Sequence, residues 1–318
     1  MEGLYFKYSA LMRDLYGEKV YKLPVNCATT CPNRDGTKGT GGCIFCSEKG
    51  SSHEAWGREV DIKEQIIKNK EYIGPRYGAK KFDVYFQSYT NTYMPLDIFK
   101  GMIATAAEAT DGIVSMSIST RPDCIDERYL EYLKEISEEK NLGITVELGL
   151  QSVNGRTLQK INRGHTLADY VKSVLLIKSY GFSVCTHLIS TLPWDDINDL
   201  VDAAELLNVL CGYGDSVKLH TLYIEDGTVL GEMYKSGVIT VPSMEEYILR
   251  TSAFLSRLRD DIAISRLTGR VSSENSLFEN WGRSHWVVEE ELRKYMEQNG
   301  IYQGKDYVNG HNSAMKKF

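Results

Sequence analysis

The sequence predicts an α/β protein: a partial (β/α)6 barrel of the TIM type with a C-terminal α/β extension. Six strand-like runs recur roughly every 30–40 residues, which is the length of a strand–helix unit. Helical patterns separate the runs, and polar segments follow them directly, as expected where the chemistry of a barrel gathers at the carboxyl ends of its strands. We expect residues 1–240 to form the barrel core with an N-terminal helix, and residues 241–318 to form an extension packed on it.

Each element follows from its local pattern. Residues 1–19 predict an amphipathic helix, because apolar side chains recur at helical spacing from Leu4 to Leu15. The predicted barrel strands are 20–25, 82–87, 112–119, 143–150, 182–189 and 216–222. The predicted helices between them are 60–73, 95–109, 126–139, 166–180 and 196–211. The helix at 166–180 begins with a capping box formed by Thr166 and Asp169. Further on we predict a helix at 243–259, a strand at 262–267 and a helix at 286–298.

The bulk composition is that of an ordinary globular protein. The net charge of −6 and the sequence pI of about 5.6 argue against a general nucleic-acid binder, which usually has a basic face. No signal peptide and no apolar run of membrane-spanning length is present, so we expect a cytoplasmic protein without a membrane partner. The seven cysteines are odd in number, and their crowding near the N-terminus favours metal ligation over disulfides.

Three cysteines on one glycine-rich loop form the most informative motif. Cys31, Cys43 and Cys46 follow the first predicted strand with the spacing C-x11-C-x2-C. Three thiolates suit an iron–sulfur cluster with one iron left open, or a zinc ion that takes a fourth ligand. Cys27 would complete a four-cysteine zinc site, so spacing alone leaves both metals open.

Two features favour the iron–sulfur cluster. The loop follows the first strand of the βα series, which is the place for a catalytic metal centre in a barrel. Phe45, between the paired cysteines, would lie beside the cluster, where its face could stack on an adenine.

Several motifs resemble those of a known family in the same order. They are Cys31-Pro-Asn-Arg-Asp-Gly36, Gly41-Gly-Cys-Ile-Phe-Cys46, Thr120-Arg-Pro-Asp-Cys124, Glu147-Leu-Gly-Leu-Gln-Ser152, Ile161-Asn-Arg-Gly-His165 and Lys218-Leu-His220. With them the chain resembles the radical S-adenosylmethionine (SAM) superfamily, and within it the YhcC-type branch. That branch is related to the Elongator catalytic subunit and to oxygen-independent coproporphyrinogen oxidase. The resemblance covers about residues 18 to 300.

The resemblance implies an enzyme with two cofactors. A [4Fe–4S] cluster would be held by Cys31, Cys43 and Cys46, and SAM would chelate its fourth iron. Reductive cleavage of SAM would give a 5′-deoxyadenosyl radical that abstracts hydrogen from an unidentified substrate. An external low-potential electron donor of the flavodoxin or ferredoxin type is the implied partner.

Further residues are candidates for binding SAM. Glu147 and Gln151 share one face of a predicted strand and can bond a ribose hydroxyl, while Arg163 can clamp a carboxylate. The alternative for Glu147 is an internal ion pair with Arg163. Ser88 and Thr90 stand where many relatives carry a Gly-Gly-Glu turn, so we take them as substitutes for it.

Neither the substrate nor a catalytic residue follows from the sequence. The kinship to the Elongator subunit favours RNA, whereas the acidic balance leaves a small metabolite as a second candidate. His187 and His220 lie on predicted strands and could face the lumen as substrate contacts, although a strand histidine is more often a core residue. Two other functions remain open: a non-enzymatic zinc-binding barrel acting as an interaction module, and a radical SAM methyltransferase.

Overall fold

The computed structural model describes residues 3–27, 29–47, 56, 60–87, 89–269 and 275–308. Its strands are β1 (Val20–Val25), β2 (Lys81–Phe86), β3 (Ile113–Thr120), β4 (Gly143–Gln151), β5 (Ser183–Ile189), β6 (Ser216–His220), β7 (Ile224–Glu225), β8 (Ala263–Arg266) and β9 (Ser276–Phe278). Its helices are α1 (Tyr8–Tyr16), α2 (Ile62–Tyr77), α3 (Leu96–Ala107), α4 (Glu127–Lys140), α5 (Gly155–Lys160), α6 (Leu167–Ser179), α7 (Ile197–Leu210), α8 (Val229–Lys235), α9 (Met244–Arg257) and α10 (His285–Gln298).

Seven parallel strands form one curled sheet, a half-barrel in the order β1-β2-β3-β4-β5-β6-β8. The six predicted barrel strands are all present, and the predicted α/β fold class is confirmed. The seventh strand, β8, comes from the predicted C-terminal extension and pairs with β6. Helix α9 also packs on α7, so part of the predicted extension contributes to the wall of the half-barrel.

The helices begin where the sequence provides caps. Thr166 and Asp169 form the predicted capping box at the start of α6, and Gly181 follows the end of that helix with φ +78°. A second capping box, formed by Asp196 and Asp199, starts α7. No helix in the described part of the chain is long and apolar enough to cross a membrane.

Two hydrophobic cores hold the sheet and its additions together. The larger core contains the buried faces of the barrel strands and of the helices outside them. A smaller core joins the cysteine loop to β7, α5 and α8, and includes Ile161, Ile189 and Ile224, with Ile44 and Phe45 packed against it. The cysteine loop, which follows β1, is therefore packed against segments that follow β4 and β6.

Candidate active site

The cysteine loop is fixed over the barrel mouth by backbone hydrogen bonds. Ile44 N donates to Ile161 O at 3.1 Å, and Leu230 N donates to Ile44 O at 2.9 Å. Gly42 has φ +80°, and a Cβ there would lie 2.9 Å from Arg34 Nε. The glycine therefore permits both the left-handed turn and the close passage of Arg34.

Nitrogen donors surround the thiols. Arg163 Nη1 lies 3.5 Å from Cys43 Sγ, and Asn33 Nδ2 lies 3.8 Å from the same sulfur. Arg121 Nη1 lies 3.9 Å from Cys31 Sγ. Two guanidinium groups and an amide therefore face the sulfur atoms of Cys31 and Cys43.

Arg121 is held rigidly beneath the loop. It forms two hydrogen bonds with Asp123, at 2.9 and 3.0 Å, and Lys38 Nζ lies 2.6 Å from the same carboxylate. Burial alone would raise the pKa of Asp123, but the hydrogen bonds from Arg121 and Lys38 lower it to about 2. Arg121 also donates to Arg163 O at 2.7 Å, so the two arginines next to the sulfurs are linked.

The sulfurs fit an iron–sulfur cluster better than a zinc ion. The Sγ atoms of Cys31, Cys43 and Cys46 do not all lie within 4.8 Å of one another. Sulfurs around a tetrahedral zinc ion, with Zn–S bonds of ~2.3 Å, would be only about 3.8 Å apart. A cubane cluster binds each cysteine to a different iron and therefore accommodates a wider set.

Cys27 lies apart from this set. It is 4% exposed, belongs to the larger hydrophobic core, and burial raises the pKa of its thiol to about 12. Its placement agrees with a small core residue and does not support the four-cysteine zinc site.

A cavity of about 270 Å³ runs from the cysteine loop into the barrel lumen. It is lined by all three cysteines and by five of the predicted SAM-binding residues: Phe45, Thr90, Glu147, Gln151 and Arg163. Ser88 lies outside the described residues. The structure thus brings the sequence-predicted residues that it describes to one cavity.

Gly149 and Gln151 shape the wall beside Arg163. Arg163 Nη2 donates to Gly149 O at 2.6 Å, and a Cβ on Gly149 would lie 2.7 Å from that nitrogen. The pairing of β4 with β5 is irregular between these two residues, and Gln151 has φ +77°. This strained conformation is typical of a functional site, where the surroundings fix the side chain.

Glu147 is the centre of a buried charge network that the sequence did not predict. Its Oε1 lies 2.5 Å from Lys22 Nζ, and its Oε2 lies 2.7 Å from both Lys218 Nζ and His187 Nε2. Burial opposes ionisation, yet Lys218 and Lys22 hold the pKa of Glu147 well below its usual range. The proposed ion pair with Arg163 is wrong, because the partners of Glu147 are these two lysines.

Asp83 and Tyr85 extend the network along β2. Lys22 Nζ lies 3.6 Å from Asp83 Oδ2, and Lys218 Nζ lies 3.2 Å from the Tyr85 hydroxyl. The pairing of β1 with β2 is the feature that indicates the contact between Lys22 and Asp83, because these residues are partners across the two strands. Alternation alone does not show which of these side chains meet across the lumen.

A half-barrel of parallel strands with a cysteine-lined cavity at its strand ends has its candidate active site where barrel enzymes place theirs. The family model of the radical SAM superfamily matches residues 26–207, and that of the radical SAM C-terminal domain matches residues 214–298. The chain therefore belongs to the radical SAM superfamily of enzymes, as its motifs predicted. Membership implies SAM and a [4Fe–4S] cluster as cofactors.

Curated relatives cover most of the chain. YtqA of Bacillus subtilis is 34% identical over 92% of this chain and 90% of its own length. Protein YhcC of Escherichia coli is 31% identical over 90% of both chains, which supports the predicted branch. The tRNA uridine(34) acetyltransferase of Methanocaldococcus jannaschii is 30% identical over 65% of this chain but only 38% of its own length.

Among solved structures, the archaeal Elp3 of Methanocaldococcus infernus has the same fold. Its TM-score is 0.65 at 20% sequence identity, and the match covers 89% of this chain and 64% of that chain. At this identity the likeness shows the architecture alone.

Proposed function

We propose that this protein cleaves SAM reductively at a [4Fe–4S] cluster and uses the resulting 5′-deoxyadenosyl radical to abstract hydrogen from a substrate. The observation that carries the proposal is the set of three thiols in one cavity, two of them faced by buried arginines. When bound, the cluster supplies the electron that breaks the S–C5′ bond. We propose an electron donor of the flavodoxin or ferredoxin type.

The residues of the chain hold and screen the cofactors. Cys31, Cys43 and Cys46 would ligate three irons, and the N–H groups of Arg121 and Arg163 would stabilise the negative charge on their sulfurs. Exclusion of water from the lumen would protect a reactive intermediate from side reactions.

The remaining contacts of SAM are proposed from the cavity lining. Phe45 offers a face for the adenine, Thr90 a position near the amino group, and Gln151 a partner for the ribose. Arg163 retains N–H groups beyond those on Gly149 and Cys43 and can bond the carboxylate. Glu147 already accepts from three donors, so we assign it to the support of the lumen wall.

RNA is the substrate class that we propose first. The support is the similarity to a tRNA uridine acetyltransferase, of which this chain matches less than half. A small metabolite is the second candidate, because the net charge of −6 does not favour an extended phosphate contact.

Metal content after anaerobic reconstitution tests the cluster assignment. We expect about four irons per chain in the wild type and in Cys27→Ala, since Cys27 is a core residue, and a loss of most iron in Cys43→Ala. Thermal unfolding of both variants controls for folding. Bound zinc without iron, with collapse on replacing Cys27, would establish the zinc-binding barrel. Methylated product together with S-adenosylhomocysteine would instead identify a methyltransferase.

A further inference from the structure

Two neighbouring histidines line the cavity that the three cysteines also line. His187 on β5 and His220 on β6 both line it, and their ring centroids are 5.4 Å apart. The backbone of His220 is fixed because its carbonyl accepts from Ser190 N at 2.8 Å and from Ser190 Oγ at 3.1 Å. The proposed binding of cluster and SAM does not use either ring.

The hydrogen bond to Glu147 determines the tautomer of His187. Glu147 is ionised and can only accept, so Nε2 of His187 carries the proton and Nδ1 presents a lone pair. Burial, with the charge of Lys218, lowers the pKa of His187 to about 4, so the ring is neutral near pH 7. Among the described residues, no group hydrogen-bonds to Nδ1.

His220 supplies the complementary donor. Burial and the charges of the groups around it, including Arg266 and Lys218, keep its pKa well below the usual range, so it is also neutral. A neutral imidazole has one N–H donor and one acceptor. Within the described chain, neither ring nitrogen of His220 has a hydrogen-bond partner. The pair therefore presents an acceptor beside a donor.

The charged groups below the pair are paired with one another. Lys22 and Lys218 balance Glu147 and Asp83, all four of which are in contact through the network described above. An ionic ligand group would have to break these pairs or be buried beside them, at a high desolvation cost.

We propose that His187 and His220 form the substrate subsite, and that they bind the edge of a heterocyclic base in which N–H and C=O lie side by side, as in an imide or lactam. His187 Nδ1 accepts from the N–H, and the N–H of His220 donates to the adjacent carbonyl. A trans peptide unit carries its N–H and C=O on opposite sides and cannot offer both to one pair. This inference rests on the proposed function, in which a nucleobase is the part of an RNA substrate that enters the lumen.

The test is NMR spectroscopy of the purified full chain labelled with 15N-histidine. Uridine and 3-methyluridine are the matched probes, because they differ only in the N–H of the imide. We expect uridine to shift the ring signals of His187 and His220, and 3-methyluridine to bind at least about tenfold more weakly, because a buried acceptor is left unpaired. N-methylacetamide, a single trans amide, should not bind at the same site.

Two variants distinguish ligand binding by the two histidines from their structural role in the lumen wall. His187→Gln retains an N–H for Glu147 but moves the acceptor from the ring position of Nδ1 to an amide oxygen, so it should lose the preference for uridine over 3-methyluridine. His220→Phe keeps a ring of similar shape without nitrogens and should weaken uridine. Equal affinity of the wild type for the two nucleosides, equal binding of the trans amide, no shift with any probe, or tight binding of added Zn²⁺ by the two imidazoles would each overturn the proposal. Because none of these readouts needs SAM cleavage, failure of the subsite is distinct from failure of the proposed reaction.

Discussion

Replacing Lys218 with methionine tests the buried charge network. Lys218 is 5% exposed, and its Nζ lies 2.7 Å from Glu147 Oε2 and 3.2 Å from the Tyr85 hydroxyl. Removing one partner of a buried ion pair costs roughly 3–5 kcal/mol, because the other charge is left without compensation. Lys22 still contacts the second oxygen of Glu147, so we expect the lower end of that range, about 3 kcal/mol.

The loss of stability in Lys218→Met should depend on pH, because His187 titrates beside the replaced lysine. Burial and then Lys218 lower the pKa of His187, so Lys218→Met should raise it and let an imidazolium take the place of the ammonium beside Glu147. A group whose folded pKa is raised contributes stability below its unfolded pKa and loses it as the pH rises. The difference in the free energy of unfolding between wild type and Lys218→Met should therefore be smaller at about pH 5.5 than at about pH 8.

Urea unfolding of wild type and variant at both pH values measures this. Lys140→Met is the matched control: its pair with Glu108 lies on the surface, so the variant should lose much less stability at either pH. Adding Glu147→Gln to Lys218→Met should recover part of the loss, because the uncompensated charge is removed. An equal loss in both lysine variants, or a deficit that does not change with pH, would refute the role assigned to the network.

Three further predictions follow from the site. The free energy of unfolding of the wild type should fall by about 3 kcal/mol as the pH falls from about 6.5 to about 4, because the folded state disfavours protonation of His187. Urea unfolding should show a smaller loss of stability in acid for His187→Gln, which has no imidazole to protonate. Gly149→Ala should reduce SAM cleavage, because its Cβ would displace Arg163 and Gln151, whereas Gly101→Ala in α3 has open space and should leave the rate unchanged; equal rates would contradict the account of the wall. Arg163→Met should slow 5′-deoxyadenosine formation by roughly tenfold to a hundredfold, since a charge-assisted hydrogen bond contributes about 1.5–3 kcal/mol, and an unchanged rate would exclude Arg163 from the site.

The barrel was predictable because its strands are regular. Buried runs between amphipathic helices located β1 to β6 to within two residues at each end. Placing β8 in the barrel sheet was not possible from its short run alone, since pairing with β6 is a long-range contact. Strands β7 and β9 are only two and three residues long, too short for an alternating pattern.

The site was predictable where the residues share a loop. Cys31, Cys43 and Cys46 are close in sequence, and their spacing carries the signal. The partners of Glu147 could not be found this way, because Lys22 and Lys218 lie 125 and 71 residues from it and meet it only across the lumen. The core position of Cys27 likewise depends on packing that spacing does not encode.

Anaerobic protein reduced with dithionite tests the central claim most directly. EPR spectra with and without SAM, followed by chromatography of the products, report the cluster and its reaction together. We expect a cluster signal that changes on adding SAM and a slow release of 5′-deoxyadenosine. A cluster signal unaffected by SAM, with SAM recovered intact, would contradict reductive cleavage of SAM by this protein.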